Sequence, residues 1–322
     1  MKALIIGAAG FVGKYLIEHL TSLNWNITAT RLPNETISSE VEWLELDILD
    51  YDAISSVLRF VKPDCLFHLA AQSSVALSWK KPSFTVDVNI KGVIHLLEAA
   101  RLLSNIPRIL LIGSGEEYGY VLPSDLPIRE DTKLKPGNIY AITKAAQGML
   151  GQMYARAYGI NIIIARAFNH IGPGQPDAFV VSNFCRQVAE MEAGVKQPVL
   201  YTGDISAKRD FTDVHDVVRA YVLLIQRGIA GEIYNVGSGR AISIKDILDI
   251  ILSYAKIQIS IEKDSSRLRP AETPIVKADI TRLENATGWR PEIPIERTIK
   301  DTLEYWREKV RQDEEILAYE NV

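Results

Sequence analysis

The segment "GNIYAITKAAQ" places Tyr140 and Lys144 four residues apart, so on a helix they share one face. An ammonium beside a phenol favours the phenolate, which predicts a Tyr140 pKa below the usual ~10 and a proton exchangeable near neutrality. An ordinary solvated Tyr–Lys pair has the same spacing. Upstream, "GSGEEYG" puts Ser114 at the end of an apolar run, with Glu116 and Glu117 behind it. The Ser114 hydroxyl there could polarise a carbonyl or simply cap a turn. The two glutamates could form a solvated pair. At the N-terminus "GAAGFVG" spaces Gly7, Gly10 and Gly13 as GxxGxxG around Phe11 and Val12, between an apolar run and an amphipathic one. Glycines at a strand–helix turn let backbone amides approach a pyrophosphate at the positive helix end. A dinucleotide loop, a serine and a downstream Tyr-x-x-x-Lys together make a hydride-transfer site, with the phenol passing the proton.

The end of the second apolar run bears on the cofactor. A carboxylate there would accept the ribose 2′-hydroxyl of NAD. The chain reads "TATRLP", with Thr30 and Arg31, and Arg31 could pair with a 2′-phosphate. NADP(H) is therefore preferred, with NAD(H) still possible and an exposed loop arginine as the plain alternative.

These residues need a scaffold. The runs "KALIIG", "NITAT", "EWLEL", "DCLFHLA", "RILLIGS" and "NIIIAR" alternate with helical spacing in "FVGKYLIEHLTSL", "DAISSVLRFV" and "SFTVDVNIKGVIHLLEAARLL". Continuous Val/Ile/Leu strands between helices predict a parallel sheet covered on both faces, an α/β doubly wound, Rossmann-type fold. Its ligand crevice lies at the carboxyl ends of the strands. Residues 1–168 are expected to form the dinucleotide-binding domain, with a return segment near 205–235 that includes "GEIYNVG". Residues 169–322, richer in loops, are expected to form most of a smaller, partly interleaved substrate lobe. The last 24 or so residues read as a charged, solvated helix with a fraying end.

The chain has 322 residues, 47% hydrophobic and 24% charged, with formal charge −4, which disfavours a broad nucleic-acid surface. Two cysteines, Cys65 and Cys185, form no disulfide framework, and no apolar run is long enough for a membrane. A cytoplasmic protein is expected. The five histidines have no metal-ligand spacing, so no metal site is expected. His68 and His170 are expected to pack beside the site.

Taken in order, "GAAGFVG", "HLAAQSS", "NIKG", "GSGEEYG", "YAITK", "RAFNHIGPGQ", "RDFTDVHD" and "RLRPAETP" resemble the landmarks of the extended short-chain dehydrogenase/reductase family of nucleotide-sugar enzymes. The resemblance runs nearly the whole length. Its nearest branches look like the GDP-6-deoxy-4-keto-mannose reductases of GDP-D-rhamnose synthesis, then the GDP-mannose 4,6-dehydratases. It implies a catalytic set of Ser114, Tyr140 and Lys144, with Glu116 as a base where dehydration occurs. Asp47, beside Ile48, would face the adenine, unless Asp47 or Asp50 is a plain helix cap; Leu69, Ala70 and Ala71 would line the cofactor. Asn169, Arg209 and Arg269 would hold the sugar-nucleotide diphosphate, and Glu272 its ribose. Gly115, where dehydratases carry a polar side chain, and Phe11-Val12, where they usually carry Gln-Asp, point to a reductase. An epimerase and a non-catalytic dinucleotide sensor are the other readings. The apolar faces near 84–103 and 140–157 suggest a homodimer, or packing on their own sheet.

Overall fold

The computed structural model describes residues 1–35, 37, 39–264 and 273–320, with the backbone alone at 314 and 316–320. Six apolar runs become parallel strands β1 (Lys2–Ile6), β2 (Asn26–Arg31), β3 (Glu42–Glu45), β4 (Cys65–His68), β5 (Arg108–Ser114) and β6 (Ile162–Ala167). Three two-stranded ladders follow: β7 (Asn169–Ile171) with β10 (Phe211–Asp213), β8 (Val199–Thr202) with β13 (Ser260–Lys263), and β9 (Lys208–Arg209) with β12 (Ile242–Ser243). The run "GEIYNVG" yields β11 (Ile233–Val236), which joins the main sheet beside β6. The seven-stranded order is β11-β6-β5-β4-β1-β2-β3. Because the chain leaves β1 in one direction and resumes at β4 on the other side, the topological switch lies between β1 and β4.

Period-two alternation sorts the strand side chains into two layers. Ala3 and Ile5 face a core closed by α1 (Phe11–Ser22) and α8 (Val214–Arg227), with the buried Trp289. Leu4 and Ile6 face the opposite core, under α2 (Tyr51–Val61), α5 (Gly92–Arg101) and α6 (Ile139–Tyr158). A third apolar cluster joins α7 (Val180–Glu192), α9 (Ile244–Ser253) and α11 (Ile295–Glu320). The short helices α3 (Val75–Lys80), α4 (Pro82–Val86) and α10 (Thr281–Thr287) complete the set used below.

The helical spacing over 83–103 is borne out as α4 and α5 joined by a π-helical turn, Asp87–Lys91, at whose centre Asn89 is buried. The C-terminal helix is not merely solvated: Ile299, Leu303, Trp306 and Val310, on one stripe, are buried against the third cluster. The many charges of α11 occupy its other faces and masked that stripe in the composition.

Candidate active site

The glycine loop links β1 to α1, and each glycine has a different reason. Gly7 has φ +78°, and a Cβ there would lie 2.6 Å from the Ala70 backbone. A Cβ on Gly13 would lie 2.0 Å from the Ala8 carbonyl oxygen. Around Gly10 the nearest atom to such a Cβ is the Gly7 oxygen at 3.7 Å, so no packing within the chain requires that glycine. Gly10 caps α1 without a side-chain hydrogen bond, and the helix carries no acidic residue in its first turn. The orphan amides and positive helix end therefore face open space suited to an anion. Thr30, buried at the end of β2, braces the loop: its hydroxyl accepts the Gly7 N–H at 3.1 Å and its carbonyl the Ala8 N–H at 2.9 Å.

The other residues expected to line a cofactor flank this loop. Leu69 and Ala70 both donate their N–H groups to the Ile6 carbonyl at 2.9 Å, and Ala71 follows them. Ile48 is buried, and Gly92 is kept bare by its side chain. Asp47 is exposed and accepts the Leu49 N–H at 2.9 Å, while the cap of α2 is Asp50, which accepts the Ala53 N–H at 2.9 Å. Arg31 is not a loose surface arginine. It donates to Glu45 at 3.1 Å and to the carbonyls of Pro33 and Glu35 at 2.9 and 3.1 Å, which folds the turn after β2 around it.

Tyr140 and Lys144 lie in the first turns of α6, whose N-cap Asn138 accepts the Ala141 N–H at 2.8 Å. Further along, Gly151 brings the helix close to β5, where a Cβ would meet Leu111 at 2.8 Å. Lys144 therefore sits buried, donating to the Ile112 carbonyl at 2.8 Å and to the Gln147 amide oxygen at 3.2 Å. Ser114, the last residue of β5, accepts the Glu116 N–H at 3.2 Å, and its hydroxyl lies close enough to the Tyr140 phenol to favour the phenolate. Both roles expected of Ser114, turn cap and active-site hydroxyl, are sterically compatible.

The electrostatics differ from the expectation of a sharpened phenol. Burial, with the charges of Glu116 and Glu117, pushes Tyr140 up to about 12, against the lowering effect of the Ser114 hydrogen bond. Burial also pulls Lys144 down to about 8, and Glu117 opposes that shift. The lysine does not sharpen the phenol because its ammonium is directed at the strand carbonyl. Desolvation outweighs pair attraction here. The paired glutamates also separate. Glu116 is exposed and accepts from Asn138 at 3.3 Å, whereas Glu117 is fully buried against Arg166 at 2.6 Å.

On the substrate side, Asn169 is exposed at the start of β7, and Arg209 donates to the Lys208 and Thr273 carbonyls at 2.9 Å. Arg269 and Glu272 lie outside the described residues. His170 stacks on Phe11 with ring centroids 6.0 Å apart, joining the start of α1 to β7; Val12 packs against the same core as α1. His68 is buried at the end of β4. Among the described residues no group of His, Cys, Asp and Glu could hold a metal.

Sequence reasoning missed the supports. Asn89 accepts the Gln72 N–H at 2.8 Å and donates to the Gln72 carbonyl and the Thr143 hydroxyl at 3.0 Å, tying the π turn to α6. The solvated-pair reading fails for Glu117; the signal for its burial was Arg166, a lone cation inside a buried strand that demands a counter-ion.

Ser114, His68 and Ile6 end adjacent strands, as the pairing of His68 with Ile6 and Leu111 fixes. Ser114 and the glycine loop therefore open on the same carboxyl edge of the sheet, at one crevice. A Rossmann-type sheet with Ser, Tyr and Lys at that crevice is the arrangement of a short-chain dehydrogenase/reductase-type oxidoreductase. Residues 4–302 match the family described as GDP-mannose 4,6 dehydratase, and the chain belongs to that family. It is 34% identical over 312 residues to the GDP-6-deoxy-D-mannose reductase of Pseudomonas aeruginosa, covering 97% of this chain and 99% of that one. GDP-mannose 4,6 dehydratase 1 of Arabidopsis thaliana is 30% identical over 321 residues, covering 92% and 87%. The structure of Pseudomonas aeruginosa RMD complexed with NADPH superposes with TM-score 0.84 at 34% identity, covering 96% of this chain and 100% of that one.

Proposed function

We propose that the protein reduces the C4 ketone of a GDP-4-keto-6-deoxy-hexose, using NADPH, to GDP-D-rhamnose or a similar GDP-deoxysugar. The observation that carries the reading is the placement of Ser114 at the carboxyl end of β5 beside Tyr140 and Lys144 of α6, with the Lys144 ammonium on the Ile112 carbonyl at 2.8 Å. A phenol held protonated to about 12 is an acid in waiting throughout the neutral range. Tyr140 would protonate the ketone oxygen while the Ser114 hydroxyl polarises and orients it. Lys144 would turn its ammonium to a ribose hydroxyl. Gly7, Gly10 and Gly13, with the amides of Phe11 and Val12, would hold the pyrophosphate, and Arg31 the 2′-phosphate. When bound, NADPH supplies the hydride. Asn169 and Arg209 would hold the diphosphate of the sugar nucleotide, a role Arg269 would share, with Glu272 at its ribose.

The relatives' names and the NADPH complex of a 34% identical protein support this reading over others in the family. So does Gly115: a Cβ there would lie 3.1 Å from the Phe168 ring, crowding the place where a dehydratase would carry its leaving-group acid. The test is to add the GDP-4-keto-6-deoxy sugar and NADPH to purified protein and follow nicotinamide absorbance at constant pH. Stoichiometric NADPH loss with a reduced sugar supports the proposal; its absence with both NADPH and NADH defeats it. Exposed Glu116 favours a second reading, 4,6-dehydration, in which GDP-mannose alone gives a 4-keto product and Glu116→Gln abolishes it.

The exposed apolar side chains of Phe84, Val86, Ile142, Met149 and Met153 support a homodimer formed through α4–α6. Among the described residues no helix is long and apolar enough to cross a membrane.

A further inference from the structure

Behind the Ser114–Tyr140–Lys144 group lies a carboxylate to which that reading gives no role. Glu117 is fully buried in the turn after β5. One oxygen accepts the Ser114 backbone N–H at 2.7 Å, and the other accepts Arg166 Nε at 2.6 Å. Arg166 is also buried, and donates to the Tyr118 hydroxyl at 3.1 Å and the Glu130 carbonyl at 3.2 Å. The backbone makes room for the carboxylate: a Cβ on Gly113 would lie 2.5 Å from the Glu117 oxygen. Burial pushes Glu117 up, but Arg166, the Ser114 amide and Lys144 all favour its anion, and an arginine does not give up its proton in a protein.

A plain counter-ion for Arg166 would need none of the other contacts. Around Lys144, β5 presents the Ile112 carbonyl and α6 the Gln147 amide. From β4 comes His68, whose ring nitrogens have no partner among the described residues and which burial holds neutral, at about 3. Among the described residues, the anion acting on Lys144 is Glu117. Tyr140 is faced by the Ser114 hydroxyl and by the charges of Glu116 and Glu117, and buried Tyr221 of α8 lies within its field.

We propose that Glu117 is a positioning residue for the reaction: one carboxylate oxygen fixes the backbone of Ser114, and the buried charge supports the ammonium of Lys144. The inference rests on the Ser114–Tyr140–Lys144 reading above. Without Glu117 the ammonium would be buried without its countercharge and would lose its proton at lower pH.

The experiment compares wild type with Glu117→Gln and Glu117→Asp, and with the double variant Glu117→Leu, Arg166→Met. That double variant removes both charges together and so avoids an orphaned guanidinium. NADPH affinity is titrated by fluorescence from pH 6 to 10 without sugar, and kcat/KM over the same range with sugar. We expect the alkaline loss of both to begin about one pH unit lower in Glu117→Gln and in the double variant, with Glu117→Asp in between. If Glu117→Gln does not fold, the double variant decides. An alkaline limb unmoved in the folded variants, with only thermal stability reduced, would overturn the proposal. Shifted NADPH affinity in a protein that reduces no keto sugar would sink the substrate assignment and leave Glu117 its role.

Discussion

The Lys144 ammonium donates to the Ile112 carbonyl at 2.8 Å, bridging helix α6 to strand β5 in a layer closed to solvent. In this arrangement the lysine holds the helix to an interior strand of the sheet, near that strand's carboxyl end. Tyr140, on the same helix face, lies beside Ser114. In the proposed reaction the two residues would divide the work, with proton donation on the phenol and cationic anchoring on the lysine.

That division sets the pH dependence. The proposed reduction needs a protonated Tyr140 and a charged Lys144. The phenol, raised to about 12, stays protonated; the lysine, lowered to about 8, loses its charge as pH rises past that value. We expect kcat/KM for NADPH-dependent reduction to be level near neutrality and to fall above about pH 8. Tyr140→Phe should lower kcat by about 10²-fold or more with NADPH affinity nearly unchanged. A pH–rate profile and a fluorescence titration check both.

The three loop glycines should separate stability from binding. Gly13→Ala drives a methyl into the Ala8 carbonyl and should lower the melting temperature by several degrees. Gly10→Ala makes only an ordinary contact within the chain, with the Gly7 oxygen at 3.7 Å, so its melting temperature should stay near wild type while NADPH affinity falls by about tenfold or more. Calorimetry and fluorescence titration on the two variants give the comparison. Equal loss of stability in both would contradict the separate roles.

Cofactor choice should depend on Arg31 and its tether. Arg31→Ala removes the cation expected to meet a 2′-phosphate and should cut the preference for NADPH over NADH by about tenfold, a change of ~1.4 kcal/mol. Because Arg31 also organises the turn through Glu45, Pro33 and Glu35, some affinity for NADH should be lost as well. The measurement is kcat/KM for both cofactors.

Met149, 58% exposed on α6, lies on the face assigned to the dimer. Met149→Glu places a charge in that interface and should shift sedimentation from dimer toward monomer, with a stable fold at low concentration. An unchanged sedimentation coefficient would move the interface elsewhere.

Much of this was legible in the linear chain because it depends on local rules. Strand runs, glycine spacing and the i, i+4 relation of Tyr140 to Lys144 are set by backbone geometry, and all seven strands of the sheet coincide with apolar runs read from sequence. The sequence by itself determined the sheet, the glycine turn and the residue types at the crevice. Tertiary structure alone decided what those residues experience. Burial against β5 reversed the expected shift of the Tyr140 phenol, placed Glu117 on Arg166 and Ser114, and hid one stripe of α11. Desolvation and ion pairing depend on neighbours brought together from distant parts of the chain, as Glu117 and Arg166 are across 49 residues.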